Sequence, residues 1–409
     1  MIRLAWRYLW SSPLTTGLNL LLLTLGLAAM TFVLRAGAQV EAGLRRDLAG
    51  IDLVVGAKGS PMQLMLAGVF HLDSPTGNIP LSTLDKLRHQ PLVGLAVPLS
   101  LGDTFRGFRV VGTSPDYLGL YGGQLATGTL WSGPLEAVLG ADVARAAGLK
   151  PGDRFAGSHG LGAGGSEHAE RPFLVVGVLA PSGTVLDRLV LTDLRSIWAL
   201  HEGHGTPAKP AGSAAAGPHD AHGEHDDDRE TTLVLVRYRS PLAAVMLPRW
   251  VNAQDGLQSA APALETARLM RLMGAGVEVL KGFGGVLLLA AGLSVWVALI
   301  HAVRARQGDL AMMRMLGAPA WRVALLIGLE ALLLAVLATV LGLGAGHALV
   351  QVLGWVLTEQ QSLRLGPLGW SEAELWVPMA ALSLALLAAA WPAWRAYRLD
   401  VTTLLQAPR

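Results

Sequence analysis

The chain contains no cysteine. Disulfide staples, thiolate metal ligands and cysteine nucleophiles are therefore excluded, although that absence does not fix the redox compartment. Charge is also scarce. Asp, Glu, Lys and Arg make up 15% of the 409 residues and the formal net charge is +2. A nucleic-acid-binding surface needs a concentrated basic excess, so that class drops out. No G-x-x-x-x-G-K-[ST] phosphate loop is present; the nearest string, Gly56 to Ser60, has the wrong spacing. Ser60, Ser158 and Ser182 do not stand in a G-x-S-x-G elbow, which argues against a hydrolase. No repeat of 20–50 residues is evident.

What the chain has in excess is apolar surface: 52% of residues are hydrophobic and the mean hydropathy is +0.44. That is too apolar for an ordinary soluble protein and too polar for one wholly embedded in lipid. A helix needs roughly 20 apolar residues to cross the hydrocarbon core. Four segments qualify: 17–35, 282–303, 323–350 and 375–394. Eight of the twelve tryptophans (Trp6, Trp10, Trp321, Trp355, Trp370, Trp376, Trp391 and Trp394) fall at or just beyond span ends, as an interfacial belt predicts. The first span is longer than a signal-peptide core and shows no small-residue cleavage site, so it reads as a retained anchor.

Short-segment cations set the orientation. Arg3 and Arg7 precede the first span, Arg304, Arg306, Arg314 and Arg322 lie in the turn 304–322, and Arg395, Arg398 and Arg409 lie in the tail 395–409. The short loop 351–374 carries Arg364 against Glu359, Glu372 and Glu374. Positive residues stay inside, which places both termini in the cytoplasm and the long block 36–281 outside the membrane. Arg35, Arg45, Arg46, Arg268, Arg271 and Lys281 flank that block against the rule, but long domains translocate largely regardless of charge. Residues 1–16 read as an amphipathic helix on the inner membrane face, with Trp6, Leu9 and Trp10 dipping into lipid and Arg3 and Arg7 outside.

The edges of the long block, 36–49 and 263–281, look helical and continue the first two spans; paired, they form a short stalk. Between them, glycine-punctuated apolar runs predict strands at 51–55, 108–112, 137–140, 173–179, 189–192 and 232–238, with helices near 80–89 and 141–148. The expected fold is an α-helical membrane protein of four transmembrane helices with an inserted α+β domain. Residues 201–230 carry Gly, Pro, Ala, His and acids with almost no large apolar side chain, so they read as a mobile loop.

Four groups of residues carry candidate chemistry. In the turn, Gln307, Asp309, Met312, Met313, Arg314 and Met315 fall on a short helix ending at Gly317. Methionines adapt to a groove on a moving partner, and Asp309 and Arg314 offer charges for it to pair with. Glu330 is an acid inside a span, where such a group faces a protein interior or water unless it snorkels to the surface; His301 and His347 are the other polar titratable groups at membrane depth. His201 with His204, and His219, His222 and His225, recur at spacings of three beside Asp220, Glu224, Asp226, Asp227 and Asp228. Imidazole with carboxylate suits zinc, nickel or copper(II), so this tract is a weak metal-site candidate, with His159 and His168 as assistants; an incidental surface composition is the alternative. The string 56–61, GAKGSP, is either a plain turn or a small anion-binding nest.

The order of one span, a large domain and three spans resembles the MacB-like/FtsX-like ABC transporter permease family. RARQGDLAMMRMLGA (304–318) with LLIGLEALLL (325–334), and PAWRAYRLDVTTLL (392–405), resemble its FtsX-like permease portion, here 282–405. RVVGTSPDYL (109–118), VLGADVARAAGLKPGDRF (138–155) and VVGVLAPSGTVLDRLVL (175–191) resemble its MacB-like periplasmic core. DLVVGAKGSPMQLMLAGVFHLDSPTGNIP (52–80) resembles one branch of the family. The resemblance implies a non-enzymatic permease of the bacterial inner membrane. It works as a dimer with a second permease copy or homologue, and a separate dimeric ABC ATPase that carries ATP and magnesium docks on the turn. Closure of that ATPase moves the periplasmic domain, a coupling termed mechanotransmission, and drives extrusion of a periplasmic or membrane substrate with a carrier protein or outer-membrane channel. Two alternatives stay open: a non-transporting FtsX-like subunit that controls a periplasmic enzyme, and a zinc-linked permease that uses the histidine tract.

Overall fold

The structure is a computed structural model that describes residues 1–48, 50–159, 171–201, 229–359 and 372–398. The chain folds into two compact units. One contains Met1–Glu41, Arg271–Glu359 and the C-terminal helix; the other contains Ala42–Met270.

The first unit is helical. After a short N-terminal helix, Ile2–Leu9, come four long helices: Pro13–Asp47, Pro262–Ala305, Ala320–Glu359 and Trp376–Tyr397. All four are long and apolar enough to cross a membrane. At about 1.5 Å per residue, roughly 20 residues suffice for the hydrocarbon core. The first two long helices, of 35 and 44 residues, therefore exceed it. Residues 42–47 of the one and 262–270 of the other belong to the second unit.

Lipid is as apolar as leucine, so close packing rather than dehydration holds such helices together. The residues fit that demand. The last helix buries Ala381, Ala385, Ala388, Ala389 and Ala396 on one stripe. Gly342 and Gly346 lie one turn apart on the third long helix, facing Leu27 and Thr31 of the first. A Cβ at either glycine falls 2.6 Å from the Cβ of Leu27 or Thr31, so only glycine permits that approach.

The second unit is built on one mixed sheet. From one edge its strands run Leu257–Ala260, Leu53–Ala57, Leu233–Tyr238, Val93–Phe105, Phe108–Thr113, Leu189–Asp193, Glu136–Leu139, Phe173–Leu179 and Leu125–Gly128. Most pairs are antiparallel. Phe108–Thr113 with Leu189–Asp193, and Glu136–Leu139 with Phe173–Leu179, are parallel, each joined by a crossover that contains helix. Two apolar clusters fill the interior. Leu84 and Leu87 of helix Ser82–Arg88 and Leu247 and Val251 of helix Ala243–Asn252 cover Leu53, Val55, Val234 and Val236. Val143 of helix Ala141–Ala147 and Ile197 and Leu200 of helix Leu194–His201 cover Val110, Leu139, Phe173, Val175 and Val190.

Three details differ from sequence expectation. Glu230–Thr231, at the end of the tract read as a loop, is a strand paired with Ile79–Pro80. Strand Val93–Phe105, 13 residues long, is hidden in the sequence because Gly94, Pro98 and Gly102 interrupt its apolar pattern; its neighbours on both sides hold it extended. Leu9 does not dip into lipid. It is 8% exposed and packs with Ala5 into the helical core, while Ile2, Trp6 and Trp10, spaced by four residues, form the exposed apolar stripe.

Candidate functional site

The second and third long helices are joined by a short one, Gln307–Met315, with Arg306 at its N-cap. Arg306 sits where the preceding helix, ending at Ala305, stops. The helix ends because Gly317 turns to φ +93°, and Gly317 and Ala318 donate their N–H groups back to the carbonyls of Arg314 and Met313 at 3.1 Å. Its two faces differ. Leu310 and Ala311 are buried, Leu310 in a core that also contains Val303, Val323, Leu326 and Ile327. On the other face Met312, Met315 and Leu316 are 59%, 55% and 84% exposed. Gly308 and Asp309 are exposed as well, whereas Gln307, Met313 and Arg314 are half-buried. The segment thus offers an apolar patch on a helix anchored from behind, suited to a partner's groove.

A cluster of polar groups braces the root of this helix. Glu330, 6% exposed, accepts a hydrogen bond from Arg306 Nη1 at 3.2 Å. Arg306 Nη2 donates to the Tyr8 carbonyl at 2.6 Å and to the Ser11 hydroxyl. The guanidinium carbon lies 4.5 Å from the centre of the Tyr8 ring. One arginine therefore ties together the N-terminal helix, the turn and the third long helix. His301, by contrast, is exposed, with its Nδ1 2.9 Å from the Val297 carbonyl.

At the far end of the same unit lies a second cluster that sequence reasoning missed. Arg35 Nη1 donates to Glu374 Oε1 at 2.8 Å, and His347 Nε2 lies 2.9 Å from Glu374 Oε2. Arg35 is 4% exposed and Glu374 fully buried. In the sequence Arg35 reads as a flanking charge and Glu374 as a loop acid; together with His347 they join the first and third long helices to the 3-10 turn Glu372–Leu375 that leads into the fourth.

The inserted domain has its own buried polar group where the first long helix ends. Asp47 Oδ1 accepts from the Val185 N–H at 2.8 Å, while Asp47 Oδ2 stands 3.7 Å from Arg188 Nη2. Arg188 also donates to the Phe70 carbonyl at 3.3 Å. Burial pushes the Asp47 carboxyl up to about 6, and the Arg188 charge and the Val185 N–H only partly offset it. Beside it His71, at φ +55°, places Nε2 3.0 Å from the Tyr117 hydroxyl. Burial first, then the charges of Arg109 and Arg188, hold His71 well below the usual imidazole range. Burial raises the Tyr117 and Tyr121 phenols.

The remaining sequence candidates do not gather into a site. The GAKGSP string is a strand end followed by a helix cap: the Lys58 N–H is taken by the Gly256 carbonyl at 2.8 Å and the Gln63 N–H by Ser60 Oγ at 3.5 Å. Those donors do not converge on an anion. His204, His219, His222 and His225 lie outside the described residues, as do His168 and the side chains of His159 and His201. Among the described residues no group of three or more His, Asp or Glu side chains is arranged to hold a metal.

Two family profiles match successive stretches of the chain. The MacB-like periplasmic core domain profile matches residues 16–241, and the FtsX-like permease C-terminal profile matches residues 281–401. Among solved structures the chain is similar to the periplasmic region of MacB from Actinobacillus actinomycetemcomitans, with 12% identity over 54% of this chain and 95% of that chain and a TM-score of 0.33. It is also similar to the extracellular domain of the noncanonic ABC-type transporter YknZ from Gram-positive bacteria, with 13% identity over 51% of this chain and 98% of that chain and a TM-score of 0.29. No curated protein matches the chain.

Proposed function

Because the chain belongs to the MacB-like/FtsX-like ABC transporter permease family, we propose that it passes the stroke of a separate ABC ATPase to its inserted domain. The observation that carries this reading is the helix Gln307–Met315, anchored by Leu310 and Ala311 and bare at Met312, Met315 and Leu316. The ATPase docks on that patch from the cytoplasm. Its closure pushes the turn. The long helices Pro13–Asp47 and Pro262–Ala305, each with residues in both units, carry the motion outward. The membrane is the bacterial inner membrane, with both termini cytoplasmic and the inserted domain periplasmic. A second permease copy faces the other ATPase subunit, and the moving domains drive export or handling of a periplasmic or membrane substrate.

The test is substitution on the bare face. Met312→Asp with Met315→Asp is expected to abolish co-purification of the ATPase and its stimulation, while the melting temperature of the chain stays unchanged because both side chains are exposed. Retention of both co-purification and stimulation overturns the docking assignment. Half-buried Met313 and Arg314 make a poorer test, since substituting them disturbs packing as well. What co-purifies with the inserted domain separates transport (a carrier or channel) from signalling (a periplasmic enzyme).

From sequence we also propose that His201, His204, His219, His222 and His225 of the tract 201–230 bind zinc. Deletion must stop short of Glu230–Thr231, which pairs with Ile79–Pro80. Zinc affinity unchanged by that deletion removes the idea.

A further inference from the structure

Arg306 occupies the one residue between two helices, the N-cap of the turn helix, and its side chain spans three elements. It holds Glu330 on the third long helix, and the Tyr8 carbonyl and Ser11 hydroxyl at the end of the N-terminal helix. A knot of this kind transmits displacement while it holds: if the turn helix moves, the arginine carries its partners along. A second feature says where the knot gives way. Beside Arg306 and Glu330 lies a cavity of about 50 Å³, whose lining includes the polar residues Tyr8, Ser12, Thr15, Thr16 and Asn19. Water needs roughly 10–15 Å³ and two to four polar partners, so the cavity has room and partners for several molecules. A buried ion pair is costly to part when its charges stay dry. Here the pair adjoins space large enough for water, lined in part by Ser12, Thr15, Thr16 and Asn19.

We infer that Arg306 is a positioning residue for coupling: it joins the N-terminal helix and the third long helix to the turn helix, and the polar cavity is where that joint opens and rehydrates. The direction of force rests on the docking reading above; the joint itself does not. On this view the N-terminal helix is a working part of the coupling assembly.

The absence of cysteine makes the test clean. A single reporter, Ala302→Cys, lines the cavity, and a control, Ala385→Cys, lies in the buried alanine stripe of the last helix. The full chain in lipid nanodiscs is treated with a charged methanethiosulfonate reagent, without any ATPase. Arg306→Met is expected to speed labelling of the reporter by about tenfold or more as local opening becomes easier. The control stays unlabelled, and Arg306→Lys, which keeps the charge but loses the fork, falls between. If Arg306→Met does not fold, Arg306→Lys alone decides the matter by its rate against the parent. Reporter rates within about twofold of the parent, or equal acceleration at the control, overturn the inference. The Met312→Asp/Met315→Asp variant is expected to label at the parent rate, so failure of docking and failure of the joint are read separately.

Discussion

Among the described residues of the helical unit, Arg35–Glu374 and Arg306–Glu330 are buried arginine–glutamate contacts, and they are built differently. At the far end Arg35 and Glu374 meet at 2.8 Å with side chains 5% and 0% exposed, and His347 supplies a further contact to the second carboxylate oxygen. At the turn end Arg306 and Glu330 meet at 3.2 Å with side chains 15% and 7% exposed, beside a polar cavity. The first is closer and more completely enclosed, a brace that holds the first and third long helices to the turn Glu372–Leu375 in one arrangement. The second is looser and adjoins space for water, a contact suited to repeated parting. The same residue pair serves rigidity in one place and motion in the other because hydration sets the cost of separating it.

Breaking each pair measures the difference. Arg35→Met leaves Glu374 buried without its cation, and is expected to cost roughly 3–5 kcal/mol. Arg306→Met leaves Glu330 beside the cavity, where water and hydroxyls replace the lost donor, so the expected cost is smaller, about 1–3 kcal/mol. Melting of the detergent-solubilised full chain compares them directly; equal costs erase the contrast between brace and joint.

A third acid–arginine contact sharpens the comparison. Asp47 and Arg188 stand 3.7 Å apart in the inserted domain, too far for the cation to offset burial, and the carboxyl titrates near 6 instead of 3.8. An acid whose folded pKa is raised binds its proton more tightly in the native state, so stability falls as pH rises from about 4 to about 6 and is level above. His71 runs the other way: its folded pKa is depressed, so its contribution is present above 6.5 and is lost as pH falls below it. Asp47→Asn removes the first effect and keeps an acceptor for the Val185 N–H. The variant is expected to gain up to roughly 3 kcal/mol over the parent at pH 7.5, to lose that advantage by about pH 4, and so to weaken more steeply on acidification. A stability difference independent of pH, followed by melting between pH 4 and 7.5, refutes the assignment of the shift to Asp47.

These contacts also mark how far the sequence can be read. The four spans are legible because a membrane demands long uncharged runs, and Gly317 marks the end of the turn helix. Strand runs such as Phe173–Leu179 are legible from their apolar, β-branched content. Arg35 and Glu374 are not, since 339 residues separate them and each looks like an ordinary charge at a span end. Glu330 stands out as an acid in an apolar helix, but its partner, 24 residues earlier, reads only as a topology signal. Leu9 shows a different limit: apolar periodicity identifies a buried face without telling lipid from protein. His71 and Asp47 acquire their altered titration from burial, which no local pattern announces.

Coupling across the membrane requires the turn helix and the inserted domain to face opposite compartments, with the long helices between them. Single cysteines at Met312 and at Lys86, both exposed, test this in the otherwise cysteine-free chain. Spheroplasts are treated with a membrane-impermeant maleimide before and after permeabilisation. Lys86→Cys is expected to label at once and Met312→Cys only after permeabilisation; labelling of Met312→Cys in sealed spheroplasts puts the turn on the wrong side for an ATPase and refutes the coupling mechanism.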